Sequence, residues 1–190
     1  MSSTATQRLN GIDVHALSEV VEAVTKQPDA GRFRFRATHR WLDGTRAETS
    51  IDTFDVGGEE DASRTVPFRL SHDEPAVLLG TDTAVNPVEY ALTALAGCMT
   101  TSFVVQAAAR GITLHSVTVE LEGDIDGRGM LGLDDAVRPG YSGVRVRYHV
   151  DADAPHENVA AALAEAQRLS PVHDIFARPT PVAVTLVDRE

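Results

Sequence analysis

The most constraining stretch of this chain runs from Asn86 to Gly111, N-P-V-E-Y-A-L-T-A-L-A-G-C-M-T-T-S-F-V-V-Q-A-A-A-R-G, with no charged residue between Glu89 and Arg110. Ala91, Leu92, Leu95, Met99, Phe103, Val104, Ala107 and Ala108 recur at steps of three and four, which predicts one long buried helix. Both of its ends are marked. Asn86 is an N-cap, Pro87 sits where a missing N–H costs nothing, Glu89 completes a capping box, and Gly111 is a C-terminal stop. Thr93, Gly97, Thr100, Thr101, Ser102 and Gln106 give the stretch a polarity that predicts the central helix of a soluble core rather than a membrane span. The only cysteine, Cys98, lies at its middle.

At 190 residues the chain is long enough for one domain with a core that needs neither disulfides nor a structural metal. The polar N-terminus, Met1 to Asn10, lacks the order of a signal peptide, and one cysteine cannot form an internal disulfide, so a cytoplasmic protein is expected. A net charge of −11 argues against nucleic acid or an anionic membrane as partner. Arg32, Arg34, Arg36 and Arg40 form the one basic cluster, spread by alternation along a solvated strand face.

In chain order, residues 1–12 read as frayed, and Asp13 caps an amphipathic helix whose stripe Leu17, Val20, Val21 and Val24 is expected to dock. Phe33, Phe35, Ala37 and Trp41 alternate with arginines in a half-buried strand over 32–41, which Asp43-Gly44 turns into a second strand over 45–54. Residues 55–63 read as a polar loop, 64–70 as a short strand in which Pro67 implies an edge or a bulge, and 71–85 as a loop leading to the central helix. After Gly111 a strand over 112–121 shows a phase slip near Ser116, the signature of a bulge. The glycine-rich stretch 123–140 reads as a long loop or hairpin tip. It is followed by a strand over 144–150, helices over 155–169 and 170–177, and a final strand over 180–188. Strands cluster rather than alternate with helices, which predicts an α+β fold with largely antiparallel sheet.

Cys98 has two readings. A buried cysteine in an apolar helix behaves as a small hydrophobe, whereas a reactive thiolate needs a nearby cation and an opening to solvent. Glu89, nine residues upstream, lies roughly 13 Å away along a straight helix and on its opposite face, so it reaches the thiol only through a long arginine, a break in the helix, or a second chain. Ser170 opens S-P-V-H-D as an N-cap, and a Ser170-His173-Asp174 triad is rejected because three neighbours on one turn cannot line up. The histidines show no zinc spacing, and the D-I-D-G-R-G run from Asp124 fails as a calcium loop because Arg128 takes a ligand position. No phosphate-cradling glycine motif precedes a helix, so no cofactor or metal is called for.

The segment N-P-V-E-Y-A-L-T-A-L-A-G-C, the preceding F-R-L-S-H-D-E-P and the later S-P-V-H-D-I together resemble the OsmC/Ohr family of osmotically inducible and organic hydroperoxide resistance proteins. The resemblance covers residues 32–190 as a single domain and leaves 1–31 as an N-terminal extension. It implies an α+β intertwined homodimer with antiparallel sheets around long central helices, Gly97 permitting close packing against the twin. It also implies thiol-dependent reduction of a small-molecule hydroperoxide. Cys98 matches the nucleophile, and Ser170 stands where members have the cysteine that resolves its sulfenic acid, so the regenerating disulfide cannot form and an external thiol is implied as reductant. The family's glutamate often stands where this chain has Val88, and Glu89 matches a branch with the acid one place later. The thiolate-activating arginine matches Arg69, with Arg40 and Arg46 as alternatives from the first hairpin. A non-catalytic protein binding some other small ligand on the same fold is the second reading.

Overall fold

A computed structural model of the protein describes residues 8–188, which form two compact units divided between Thr93 and Ala94. Of the stretch expected to be frayed, residues 1–7 lie outside the described residues. Residues 8–13 instead pair as a minimal hairpin, β1 (Arg8–Leu9) with β2 (Ile12–Asp13), because Asn10 and Gly11 supply the positive φ of its turn.

In the first unit Asp13 caps α1 (Val14–Lys26), its carboxylate accepting from the Ala16 N–H at 3.0 Å. The expected docking of this helix does not occur within the chain. Val20 and Val21 stay 60% and 58% exposed, while Leu17 and Val24 are half-buried, Val24 against Gly31. The strand read over 32–41 is two strands in two sheets, β3 (Phe33–Phe35) and β4 (Thr38–Asp43). Its apolar side chains are exposed rather than half-buried, Phe35 and Trp41 by about 70%. The turn at Asp43-Gly44 is as expected and leads to β5 (Arg46–Ile51), which is shorter than the strand read there.

The supposed polar loop 55–63 is itself a hairpin, β6 (Phe54–Val56) and β7 (Glu59–Asp61), turned by Gly57 and Gly58, both at positive φ. A Gly-Gly pair is a hairpin signal as strong as the Asp-Gly pair upstream, and acidic strand residues masked it. After Pro67, β8 (Phe68–His72) pairs with β5, so the two antiparallel sheets are ordered β3-β6-β7 and β4-β5-β8. The loop leading to the central helix is tied down by Asp73, 1% exposed, whose carboxylate accepts from the Thr45, Thr81 and Thr83 hydroxyls and the Glu74, Thr81 and Thr83 N–H groups. These donors hold its pKa well below the ordinary carboxylate range.

The central helix, α2 (Pro87–Ala109), has the predicted span. Its capping box is complete, Asn86 Oδ1 accepting from the Glu89 N–H and Glu89 Oε2 accepting from the Asn86 N–H. Gly111 follows at φ 70°, the left-handed stop. Only Leu95, Met99, Phe103, Ala107 and Ala108 are buried in the single chain, and a Cβ added at Gly97 would meet nothing within 4 Å. The polar residues of this helix do not by themselves exclude a membrane span. Its mean hydropathy of 1.4 and its length would suffice to cross one.

In the second unit β9 (Leu114–Asp124) and β10 (Gly143–Ala152) pair antiparallel, and the register slips where Asp151 faces Ser116 and Ala152 faces Leu114, the bulge expected there. The tip between them carries a short helix, α3 (Gly127–Met130). One face of this ribbon is a charge ladder in which Arg145 pairs with Glu122 and Asp124. The other face packs with α2 and α4 (His156–Leu169) around Phe103, Ala107, Ile112, Ala162 and Ala166. Helix α5 (Pro171–Ala177) follows as predicted. The final strand does not form. Residues 178–188 carry no regular structure, and Val184 and Leu186 are 90% and 93% exposed. Alternation predicted a strand, but pairing requires a neighbour that the single chain does not offer.

Candidate active site

Cys98 sits mid-way along α2, partly accessible, nine residues after Glu89, the one charged residue of that helix. The residue brought to its sulfur is Ser170, 72 positions further on: the Ser170 hydroxyl donates to Cys98 Sγ at 3.2 Å. Local chemistry fixes this hydroxyl. Helix α4 ends at Leu169, Pro171 opens α5, and Ser170 between them is extended (φ −74°, ψ 115°), its Oγ accepting from the His173 N–H at 3.3 Å. Ser170 is only 1% exposed, and one oxygen therefore both caps a helix and faces the thiol. The rejected triad stays apart, since His173 Nε2 faces the Gln167 amide at 3.1 Å and Asp174 pairs with Arg178 at 3.1 Å.

The other expected site residues are not gathered at the sulfur by their observed bonds. Glu89 lies on the same continuous helix as Cys98, and its carboxylate is engaged at the capping box. Arg69 on β8 donates to Glu48 Oε1 at 2.9 Å, and Arg46 on β5 donates to Asp43 at 3.1 Å. Arg40 stands opposite Glu48 in the β4–β5 register. Among the described residues no group of three or more His, Cys, Asp or Glu side chains is placed to hold a metal ion.

One polar group beside the thiol escaped the sequence reading. Tyr148, on the inward face of β10, packs its ring edge-on against the fully buried Phe103, centroids 5.8 Å apart. Its hydroxyl is buried without a hydrogen bond of ordinary geometry. Burial pushes the phenol pKa up, the Cys98 sulfur acts in the same direction, and the neighbouring Thr100 hydroxyl opposes both. The ring also walls a cavity of about 310 Å³ with Val150, Ala154, Val159 and Leu163. Alternation marked Tyr148 as inward-facing, but an aromatic in that position reads as core.

The family model for OsmC-like protein matches residues 80–185, more than half of the chain. The protein belongs to the OsmC-like family. Solved structures similar to this OsmC-like chain include an OsmC-like protein from Mycoplasma pneumoniae, 14% identical over 76% of this chain and 87% of the other, with a TM-score of 0.57. An OsmC-like protein of unknown function from Vibrio cholerae is 15% identical over 75% and 92%, with a TM-score of 0.52. An organic hydroperoxide resistance protein from Legionella pneumophila is 17% identical over 75% and 88%, with a TM-score of 0.50. At such identities the likeness establishes the shared α+β fold. No curated protein sequence matches significantly.

Proposed function

We propose that this OsmC-like protein is a one-cysteine, thiol-dependent peroxidase for organic hydroperoxides, working as a homodimer. The carrying observation is the hydrogen bond from Ser170 to Cys98 Sγ at 3.2 Å. The position that holds a resolving thiol in the two-cysteine pattern still faces the nucleophile, but offers it a hydroxyl. Such a donor interacts more strongly with a sulfur that carries negative charge. The thiolate attacks the terminal oxygen of the hydroperoxide, the O–O bond breaks, sulfur is oxidised to Cys–SOH, and the alkoxide leaves as the alcohol once protonated. An external thiol then forms a mixed disulfide with loss of water, and a second thiol releases Cys98.

Dimerisation is supported by the open face at Gly97 and by exposed Phe33, Phe35, Trp41 and Phe68, more large apolar surface than a soluble monomer ordinarily leaves uncovered. In a dimer a second copy can supply an arginine and a carboxylate, Arg69 and Glu89, which within one chain are engaged with Glu48 and the Asn86 N–H. The competing reading, a non-catalytic small-molecule-binding dimer, draws its support from the missing second thiol. Intact mass after one equivalent of cumene hydroperoxide, with and without glutathione, separates the two. One added oxygen that glutathione converts to an adduct is the expected result; an unchanged mass with Cys98 inert to alkylation overturns it.

A further inference from the structure

From the geometry around Cys98 we infer that Tyr148 is the proton donor to the leaving alkoxide, a catalytic role that rests on the peroxidase reading. A phenol O–H shut away from solvent without a hydrogen bond of ordinary geometry is unusual, since buried hydroxyls are nearly always well paired. The Cys98 sulfur and the Thr100 hydroxyl both bear on this phenol, which places it in the nucleophile's surroundings. Ser170 has already spent its single O–H on the sulfur and accepts from His173, which leaves it nothing to give an oxygen arriving there. Tyr148 has a proton to give. Burial keeps the phenol protonated, and an alkoxide is a far stronger base than a phenolate.

The step balances as follows: the sulfur lone pair forms the S–O bond, the O–O pair departs with the alkoxide, the Tyr148 proton moves to that oxygen, and the phenolate recovers a proton from solvent. Sulfur loses two electrons and the peroxide gains them. The ring itself is held on Phe103 and by the cavity wall, so Tyr148→Phe removes only the oxygen and keeps the packing.

The test compares wild type and Y148F in the rate of Cys98 oxidation by tert-butyl hydroperoxide and by peracetic acid, followed by intact mass, with thermal unfolding as the control for folding. An alkoxide needs a proton to leave and a carboxylate does not. Y148F should therefore be slower by about 10²-fold with tert-butyl hydroperoxide, equal to wild type with peracetic acid, and no less stable. Equal rates with both oxidants, or equal slowing with both, would overturn the role of Tyr148 while leaving the peroxidase intact. A wild type inert to both oxidants would remove the peroxidase reading and this inference with it.

Discussion

Restoring the second thiol by Ser170→Cys is the sharpest perturbation of this site. The Ser170 oxygen is 3.2 Å from Cys98 Sγ, and a cysteine there has a longer bond to its terminal atom, so the new sulfur starts close to the roughly 2.05 Å a disulfide needs. The link would close a loop of 72 residues, for which the chain-entropy form gives about 4.4 kcal/mol, and strain brings typical disulfides to about 2–4 kcal/mol. At about 2–4 °C per kcal/mol for a chain of this size, the oxidised variant should melt about 4–16 °C above its reduced form. One equivalent of organic hydroperoxide should remove two hydrogens from the intact mass, and a thiol reductant should restore them. If both thiols remain alkylatable after oxidation, or if the variant links only between chains, the proximity of the two positions does not exist in solution and the site has been misassigned.

Phe103→Ala removes a ring with no exposed surface from the centre of the second unit, where Tyr148 and the alanines of α4 pack, and should cost about 3–5 kcal/mol. Thermal unfolding should register this as a fall of about 6–20 °C, and a fall within a degree or two would mean the helix is not packed this way. Asp73 makes a pH-dependent prediction: its folded pKa lies below the unfolded one, so its contribution is present in full above about pH 4 and is lost as pH falls through that range. The melting difference between wild type and Asp73→Asn should be constant from neutral pH to about pH 5 and shrink below about pH 4; a gap that widens in acid reverses the sign of the argument.

The elements legible in the sequence were those whose signals are local. The capping box at Asn86 and Glu89, the stop at Gly111, the Asp43-Gly44 turn and the Ser170-Pro171 restart each depend on a few neighbouring residues, and each stands where it was read. The errors concern strands, whose existence depends on partners. Residues 180–188 alternate like a strand but pair with nothing among the described residues, while Glu59–Asp61 alternate in no useful way and pair because Gly57-Gly58 folds them back on Phe54–Val56. The stripe on α1 fails for a related reason. Amphipathicity says that one face prefers burial, but not that the chain supplies the surface, and Val20 and Val21 find none.

Of the candidate site, the Cys98–Ser170 pair was legible through the cap signal and the family resemblance, whereas Tyr148 was not, because only tertiary packing isolates a phenol; elsewhere in the fold Asp73 escaped for the same reason, since packing gathers three threonines around its carboxylate. Ser170 also shows why a serine at the resolving position is more than a lost thiol. Its oxygen accepts from the His173 N–H while its proton goes to Cys98, and a cysteine is a weaker acceptor for the helix cap. Reduced Ser170→Cys should accordingly be less stable than wild type, by about 0.5–2 kcal/mol for a lost cap, before any disulfide forms. The two-cysteine arrangement thus trades helix capping for a covalent link that exists only in the oxidised state. In the proposed cycle, serine keeps α5 capped throughout and leaves the oxidised sulfur free for an external thiol.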